Sequence, residues 1–366
     1  MLRAGIVGLA NVGKTTLFNA LTAQMAALAA NYPFASSKSN VGVVPVPDER
    51  LEPLAKLVKT NVIIPATVEF VDIPGLVRGS SKGEGLGNQF LANIRESDTV
   101  VQVVRCFESE EVVHVEGSVG PRRDIETIQI ELALADLASV ERRRERTQKV
   151  AKGGDKKARA ELELLDKLQP ALEEFRPARS VALDDDEQRL LREFFLLTTK
   201  PTIYAANVDE ATLADPGASA HLRAVREVAE AEGNECVCIC AQLEADLVAL
   251  PPEERREYLE TLGVKSSGVD SLIKSAYRLL GLMSFLTAGE KEARAWTIPR
   301  GTRAPQAAGV IHSDIERGFI RAEVISYDEL LRAGSYAAAR EQGLLRLEGK
   351  EYVMQEGDVV HFRFNV

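Results

Sequence analysis

Residues 8–15 read GLANVGKT, which fits the phosphate-binding pattern G-x-x-x-x-G-K-[ST]. The apolar run at residues 4–7 suits a buried strand, and the apolar positions from Leu17 to Leu28 recur at the spacing of one helix face. In the order strand, glycine loop and helix, backbone N–H groups and the positive end of a helix dipole converge on phosphates. The stretch therefore predicts an α/β fold of the P-loop NTPase class.

Within this loop, two side chains have distinct expected roles. Lys14 would reach the β- and γ-phosphates and is a candidate catalytic residue, and the Thr15 hydroxyl would be a ligand of Mg²⁺. The predicted nucleotide-binding residues of the loop are Asn11, Val12, Gly13, Lys14, Thr15 and Thr16.

A second motif separates switch NTPases from other P-loop proteins. The alternating residues 67–71 run into DIPG at residues 72–75, where Asp72 is placed to hold Mg²⁺ through water and the Gly75 N–H can face the γ-phosphate. Switch GTPases commonly have a Gln next, which orients the attacking water. Leu76 cannot form that hydrogen bond. His114 is one candidate for the missing group; a surface or structural histidine is the alternative.

Residues 207–210 read NVDE and follow an apolar strand candidate. A guanine-reading GTPase has Asn-Lys-x-Asp here, with the Asp accepting from guanine N1–H and N2–H₂ and the Lys stem covering the ring. Val208 lacks that stem and the longer Glu210 displaces the carboxylate, whereas the Asn207 amide can still serve adenine N7 or N6. A misplaced partner costs about 1–3 kcal/mol. We therefore expect ATP to bind more tightly than GTP, and Ala241 to offer the base a backbone N–H.

Composition excludes several classes of protein. The 366 residues carry a net charge of −10, with 45% hydrophobic and 27% charged residues, which is typical of a folded protein and not of a general nucleic-acid coat. No apolar run approaches the roughly 18 residues of a membrane span.

Cys236, Cys238 and Cys240 alternate as on one face of a strand. Small buried residues in a reducing cytosol are the first interpretation, and a redox-sensing thiol cluster is the alternative.

The middle of the chain predicts a helical hairpin. Apolar residues recur at steps of three and four from Ile125 to Ala135 and from Leu162 to Phe175, on either side of a Gly-Gly turn. Residues 141–160 contain nine basic and three acidic residues. This basic tip is either a solvated surface or a site for structured RNA, since no aromatic residue is interleaved for base stacking. The candidate contacts are Arg142, Arg143, Arg144, Arg146, Lys149, Lys152, Lys156 and Lys157.

The chain resembles the YchF family of Obg-related P-loop NTPases along its whole length. The matching stretches include GLANVGKTTLFNAL (8–21), NVGVVPVPD (40–48), DIPGLV (72–77), GEGLGNQFL (83–91) and VVHFRFNV (359–366). The resemblance implies a G-domain at residues 1–121 and 198–281, a helical hairpin inserted at 122–197, and a C-terminal β-grasp (TGS) domain at 282–366. It also implies ATP binding at least as tight as GTP binding.

The same resemblance implies partners and ions. It implies association with the ribosome and its RNA, and a K⁺ ion held by Asn11, for which a structural hydrogen bond is the competing interpretation. Ser36 would supply the switch I hydroxyl for Mg²⁺, although the proline usual in the family's switch is absent. We expect a cytoplasmic, monomeric ATPase that binds the large ribosomal subunit. The alternatives are an Obg-type GTPase switch and a regulatory protein that binds nucleotide without hydrolysing it.

Overall fold

The computed structural model describes residues 2–28, 40–76, 86–264 and 266–365, without the side chains of residues 24–28, 86–88 and 252. Ser36 lies outside the described residues. The chain forms two compact units. Of the described residues, the first comprises 2–23, 40–42, 69–76, 86–264 and 266–272, and the second comprises 24–28, 43–68 and 273–365.

The strands of the described chain form two sheets. The first sheet has the order β2-β4-β1-β5-β6-β7 and the second has the order β11-β10-β12-β8-β9-β3. In chain order the strands are β1 (Arg3–Val7), β2 (Val41–Pro45), β3 (Ile63–Ile64), β4 (Thr67–Asp72), β5 (Thr99–Arg105), β6 (Thr202–Asn207), β7 (Glu235–Ile239), β8 (Leu282–Ala288), β9 (Ala293–Pro299), β10 (Phe319–Ser326), β11 (Arg346–Glu348) and β12 (Asp358–Phe364).

Fifteen α-helices lie within the described residues, and α1 and α11 cross from one unit to the other. In chain order they are α1 (Lys14–Leu28), α2 (Leu51–Val58), α3 (Leu86–Glu96), α4 (Pro121–Ala151), α5 (Lys156–Glu173), α6 (Asp185–Arg192), α7 (Glu210–Ala214), α8 (Ala220–Glu232), α9 (Ala241–Val248), α10 (Pro252–Thr261), α11 (Gly268–Leu279), α12 (Ala304–Ile311), α13 (Ser313–Arg317), α14 (Tyr327–Ala333) and α15 (Tyr336–Glu341). No helix among the described residues is long and apolar enough to cross a membrane.

Five neighbouring strands of the first sheet, β4, β1, β5, β6 and β7, are parallel. β1 pairs in parallel with β4 and β5, β5 with β6, and β6 with β7. Every residue of β5 and β6 is buried, as expected for parallel strands covered on both faces. The carboxyl ends of β1, β5 and β6 therefore lie side by side, which is where ligands bind in such sheets. The predicted P-loop α/β fold is confirmed.

The predicted helical hairpin is confirmed as α4 and α5. Pro121 starts α4, where its missing N–H has no consequence, and Asp155 caps α5 by accepting a hydrogen bond from the Ala158 N–H at 2.9 Å. Leu164, Leu165 and other apolar residues of α5 are buried against α4. The hairpin belongs to the first unit.

The second unit contains the small mixed β domain. Its core includes Phe285, Phe319 and Phe362, with ring centroids of Phe285 and Phe362 5.8 Å apart. The helices α12 to α15 belong to the same unit as this sheet. Residues 43–68, with α2 and β3, belong to this unit, a placement the sequence did not indicate.

Candidate nucleotide-binding site

The phosphate-binding loop joins β1 to α1 and depends on two glycines. Gly13 has a φ of +95°, a conformation that L side chains rarely adopt. A Cβ atom there would lie 2.3 Å from Nδ2 of Asn207, and one at Gly75 would lie 3.0 Å from Nζ of Lys14. The glycines leave room for the side chains that converge on the phosphate site.

Lys14 is buried, and its ammonium donates a hydrogen bond to the Leu9 carbonyl. Burial lowers the pKa of Lys14 to about 8, although the charge of Asp72 acts in the opposite direction. The side chain is therefore still mostly protonated at neutral pH. It can pair with a phosphate in the role predicted for it.

Asp72 and Thr15 form the candidate metal site. Burial raises the pKa of Asp72, while Lys14 and a hydrogen bond with Thr15 act in the opposite direction. Within the described structure, Oδ1 of Asp72 is buried without a hydrogen-bond partner. A carboxylate oxygen beside a hydroxyl suits Mg²⁺, which the P-loop NTPase fold generally uses. The described residues hold no cluster of three or more His, Cys, Asp or Glu side chains for a metal, so phosphate and water oxygens would complete the coordination.

Asn207 connects the phosphate loop to the start of α9. Its Nδ2 donates to the Val12 carbonyl at 2.9 Å, and its Oδ1 accepts from the Ala241 N–H at 3.0 Å. In this conformation the Ala241 N–H is already donated to Asn207, and the expectation that it binds the base stays a prediction. One N–H of the Asn207 amide remains for a base. The sequence predicted that Asn207 contacts the base but did not indicate these two hydrogen bonds to Val12 and Ala241.

The other two residues of the base loop have separate environments. Val208 is 2% exposed in the core cluster, and its N–H donates to the Ile239 carbonyl at 2.8 Å. Glu210 is exposed at the start of α7, and its Oε1 accepts a hydrogen bond from the Tyr258 hydroxyl at 2.8 Å. The valine therefore gives the base no covering stem, and the carboxylate of Glu210 is already bound by a tyrosine.

A cavity of about 730 Å³ brings most of the predicted nucleotide-binding residues together. Residues of the segment 107–112 also line it, which the sequence did not indicate. Arg105, buried at the end of β5, positions that segment, because its Nε donates to the Phe107 carbonyl at 3.0 Å and its guanidinium lies 4.5 Å from the Phe107 ring centroid. The predicted residues that line the cavity are Asn11, Gly13, Lys14, Thr15, Thr16, Asn207, Val208, Glu210 and Ala241.

Asn11 and His114 both make contacts with protein atoms. Asn11 has a φ of +61°, and its Nδ2 donates to the Val113 carbonyl at 3.2 Å. His114 is buried, its Nε2 lies 2.8 Å from Oδ2 of Asp124, and its Nδ1 accepts from the Glu116 N–H at 3.1 Å. Both ring nitrogens are thus occupied, which favours the structural role of His114 over water positioning. Leu76 is 1% exposed, and its side chain has no polar atom that could position the attacking water in place of His114.

The cysteines are consistent with a buried strand. Cys236 and Cys238 on β7 are half-buried, and burial raises the pKa of each thiol to about 11. Cys240, which follows β7, is buried. The thiolate is the reactive form of cysteine, so these pKa values disfavour a redox-sensing cluster.

The basic tip divides into paired and unpaired side chains. The paired ones are Arg142 with the Ala138 carbonyl, Arg143 with Glu161, Arg144 with Asp166, and Lys157 with Glu193. The side chains that make no ion pair or hydrogen bond within the described chain belong to Arg146, Lys149, Lys152 and Lys156, all exposed.

Together, the phosphate loop after β1, the Asp-x-x-Gly motif after β4 and the Asn-led loop after β6 define a P-loop NTPase of the GTPase fold. Residues 3–137 match the family model described as 50S ribosome-binding GTPase. Residues 282–365 match the YchF-GTPase_C model, described as a protein of unknown function.

Individual relatives match over their full length. The ribosome-binding ATPase YchF of Bacillus subtilis (strain 168) is 52% identical over 365 residues, covering 100% of both chains. That of Escherichia coli O157:H7 is 51% identical over 364 residues, covering 100% of this chain and 99% of the relative. The solved structure of the Schizosaccharomyces pombe YchF GTPase has a TM-score of 0.89 and 36% identity, covering 99% of this chain and 97% of that one. The chain belongs to the YchF family.

Proposed function

We propose that this protein is a cytoplasmic, Mg²⁺-dependent ATPase that binds and slowly hydrolyses ATP, binds GTP more weakly, and associates with the large ribosomal subunit. The proposed preference for ATP over GTP rests mainly on two contacts at the base loop. Val208 is packed into the core, and the Glu210 carboxylate is bound by Tyr258, so neither group is arranged to read guanine.

The remaining residues support phosphate and metal binding. Lys14 supplies a positive charge, and Thr15 and Asp72 would hold Mg²⁺, which would neutralise charge on the β- and γ-phosphates. Asn11 could add a K⁺ ion through its amide oxygen. Leu76 is apolar and His114 is occupied by Asp124 and Glu116, so neither of these two residues is arranged to orient the attacking water, which supports slow turnover.

Ribosome association is proposed from the names of the relatives and from the basic tip. Four exposed basic side chains of the tip are free of partners among the described residues, so they are available to phosphates of ribosomal RNA. The chain as a whole carries a net charge of −10, which would limit binding to a defined site. We propose that the protein binds as a monomer.

Calorimetric titration of the nucleotide-free protein with ATP and GTP, in K⁺ and Mg²⁺, tests the base preference. We expect tighter binding of ATP. In Glu210→Asp the carboxylate is shortened and loses Tyr258, so the ratio of GTP to ATP affinity should rise roughly tenfold. Glu260→Asp, an exposed carboxylate on α10, is the matched control. Tighter GTP binding by the unmodified protein would instead support an Obg-type GTPase switch.

A second candidate function is a regulatory protein that binds nucleotide without hydrolysing it. The burial of Leu76 and the occupied ring of His114 favour it. Phosphate release measured with K⁺ and 50S subunits present separates the two functions. Turnover above the uncatalysed background supports the ATPase, and turnover equal to that background supports the binding protein.

A further inference from the structure

Phe195 is an aromatic residue that the core does not use. It lies between α6 and β6, and 75% of its surface is exposed. Its φ is +52°, which is unfavourable for a bulky side chain. Neither burial nor backbone preference accounts for a phenylalanine at this position, and strained, exposed residues are often found at binding sites.

The residues before Phe195 fix it against the side of the basic tip. The Phe194 ring lies 4.1 Å from the Arg143 guanidinium, and the Glu193 carbonyl accepts from Arg143 Nη1 at 3.1 Å. The Glu193 carboxylate pairs with Lys157 at 3.0 Å. These contacts hold the two residues before Phe195 against both arms of the hairpin, although they lie some forty residues further along the sequence.

The first unpaired basic residue, Arg146, lies about one helical turn after Arg143. Arg146, Lys149 and Lys152 follow Arg143 along α4, and at 1.5 Å per residue they extend about 14 Å towards the end of the hairpin. Lys156 starts α5 on the other arm. Exposed positive charges therefore lie between Arg143 and the end of the hairpin, on more than one face of α4.

We propose that Phe195 stacks on an unpaired base of structured RNA while the free cations of the basic tip bind the neighbouring phosphates. This rests on the proposed association with the ribosome. Proteins that read RNA take unpaired bases of loops and bulges onto aromatic side chains, and any base presents a suitable face. A protein partner is less well matched, because Arg192 and Glu193 next to Phe195 are exposed and charged and provide no apolar patch around it.

The test uses the full-length protein, purified 50S subunits and an RNA stem–loop with 2-aminopurine in its loop. We expect Phe195→Leu to weaken binding to both roughly 5- to 100-fold and to abolish quenching of the 2-aminopurine fluorescence. Phe195→Trp should retain affinity and quenching. Lys149→Ala should instead reduce the salt dependence of binding by about one phosphate contact.

Phe175→Leu is the matched control. Phe175 is also exposed, at 43%, with a φ of +57°, but it follows the end of α5 that lies away from the tip. Its substitution should leave RNA binding unchanged. Thermal unfolding of each variant checks that the fold is retained.

The outcomes separate this inference from the proposed function. If the unmodified protein binds 50S subunits and Phe195→Leu binds them equally well, the stacking contact is refuted and ribosome association stands. If Phe195→Leu loses 50S binding but not RNA binding, Phe195 contacts a protein and the inference is also refuted. Failure of the unmodified protein to bind 50S subunits refutes ribosome association, and the stem–loop measurement then decides the stacking contact by itself.

Discussion

Two side-chain contacts at the base loop determine which atoms a nucleotide base can meet. The amide of Asn207 is held between Val12 and Ala241, so it joins the phosphate loop to the start of α9 in addition to its predicted contact with the base. The carboxylate of Glu210 is held by Tyr258 on α10, whose hydroxyl is otherwise exposed to water. The proposed base preference therefore involves Tyr258, which lies 48 positions after Glu210.

Removal of the Tyr258 hydroxyl should release Glu210. In Tyr258→Phe the carboxylate is free to turn towards the position of guanine N1 and N2, so we expect the ratio of GTP to ATP affinity to rise about threefold to tenfold. Calorimetric titration with each nucleotide measures the ratio. Tyr327→Phe on α14, in the second unit, is the control. An unchanged ratio in Tyr258→Phe would mean that the tyrosine does not restrain Glu210.

Local motifs were sufficient to predict that the candidate phosphate and metal residues lie close together, but not the contacts of the base loop. Lys14 and Thr15 lie within one short loop, and Asp72 ends a strand that pairs with β1. Their roles stay predictions. The bond between Asn207 and Ala241 joins residues 34 apart, and that between Asn11 and Val113 joins residues 102 apart. Such pairings depend on which strands are neighbours, and spacing along the chain does not report them.

At the scale of elements, a buried carboxylate attaches the hairpin to the 3-10 turn at Leu197–Thr199, which precedes β6. Asp136 on α4 accepts from the N–H groups of Leu197 and Thr198 at 2.8 and 2.7 Å, and from the Thr198 hydroxyl at 2.7 Å. Burial raises the pKa of Asp136, and these three donors oppose that shift. The periodicity that predicted α4 identified its apolar face but not this polar anchor, since a lone Asp on a long helix is usually solvated.

Loss of this anchor should destabilise the protein. In Asp136→Ala two buried backbone N–H groups and a hydroxyl lose their acceptor, so we expect the free energy of unfolding in urea to fall by about 3 kcal/mol. Asp166→Ala, which removes an exposed partner of Arg144, should change it by less than about 1 kcal/mol. Equal effects of the two substitutions would show that Asp136 contributes no more than a surface ion pair.

At the scale of the whole molecule, residues 43–68 contact strands of the second sheet that lie more than 200 residues further along the sequence. Ile63 of β3 pairs with Ala293 of β9, the Thr60 hydroxyl donates to the Lys291 carbonyl at 3.2 Å, and Arg50 pairs with Glu356 at 2.7 Å. An amphipathic helix such as α2 fits any apolar surface, so its sequence could not indicate which unit it joins. The three-part division at residues 121, 197 and 281 stays a prediction, and the contacts of residues 43–68 give a way to test its last boundary.

If Gly281 were a domain boundary, a chain ending there would be as stable as the same residues in the full chain. We expect it to be less stable. It lacks β8 and β9, so the buried face of α2, with Leu51 and Leu54, would be exposed to water at a cost of about 1.5–3 kcal/mol for each leucine. We expect a lower thermal midpoint than that of the full chain and binding of the dye ANS. Leu54→Ser should reduce dye binding in the truncated chain, because it removes part of the exposed face, yet destabilise the full chain. A truncated chain with an unchanged midpoint and no dye binding would mean that residues 43–68 fold stably without the C-terminal sheet, in which case Gly281 is a true domain boundary.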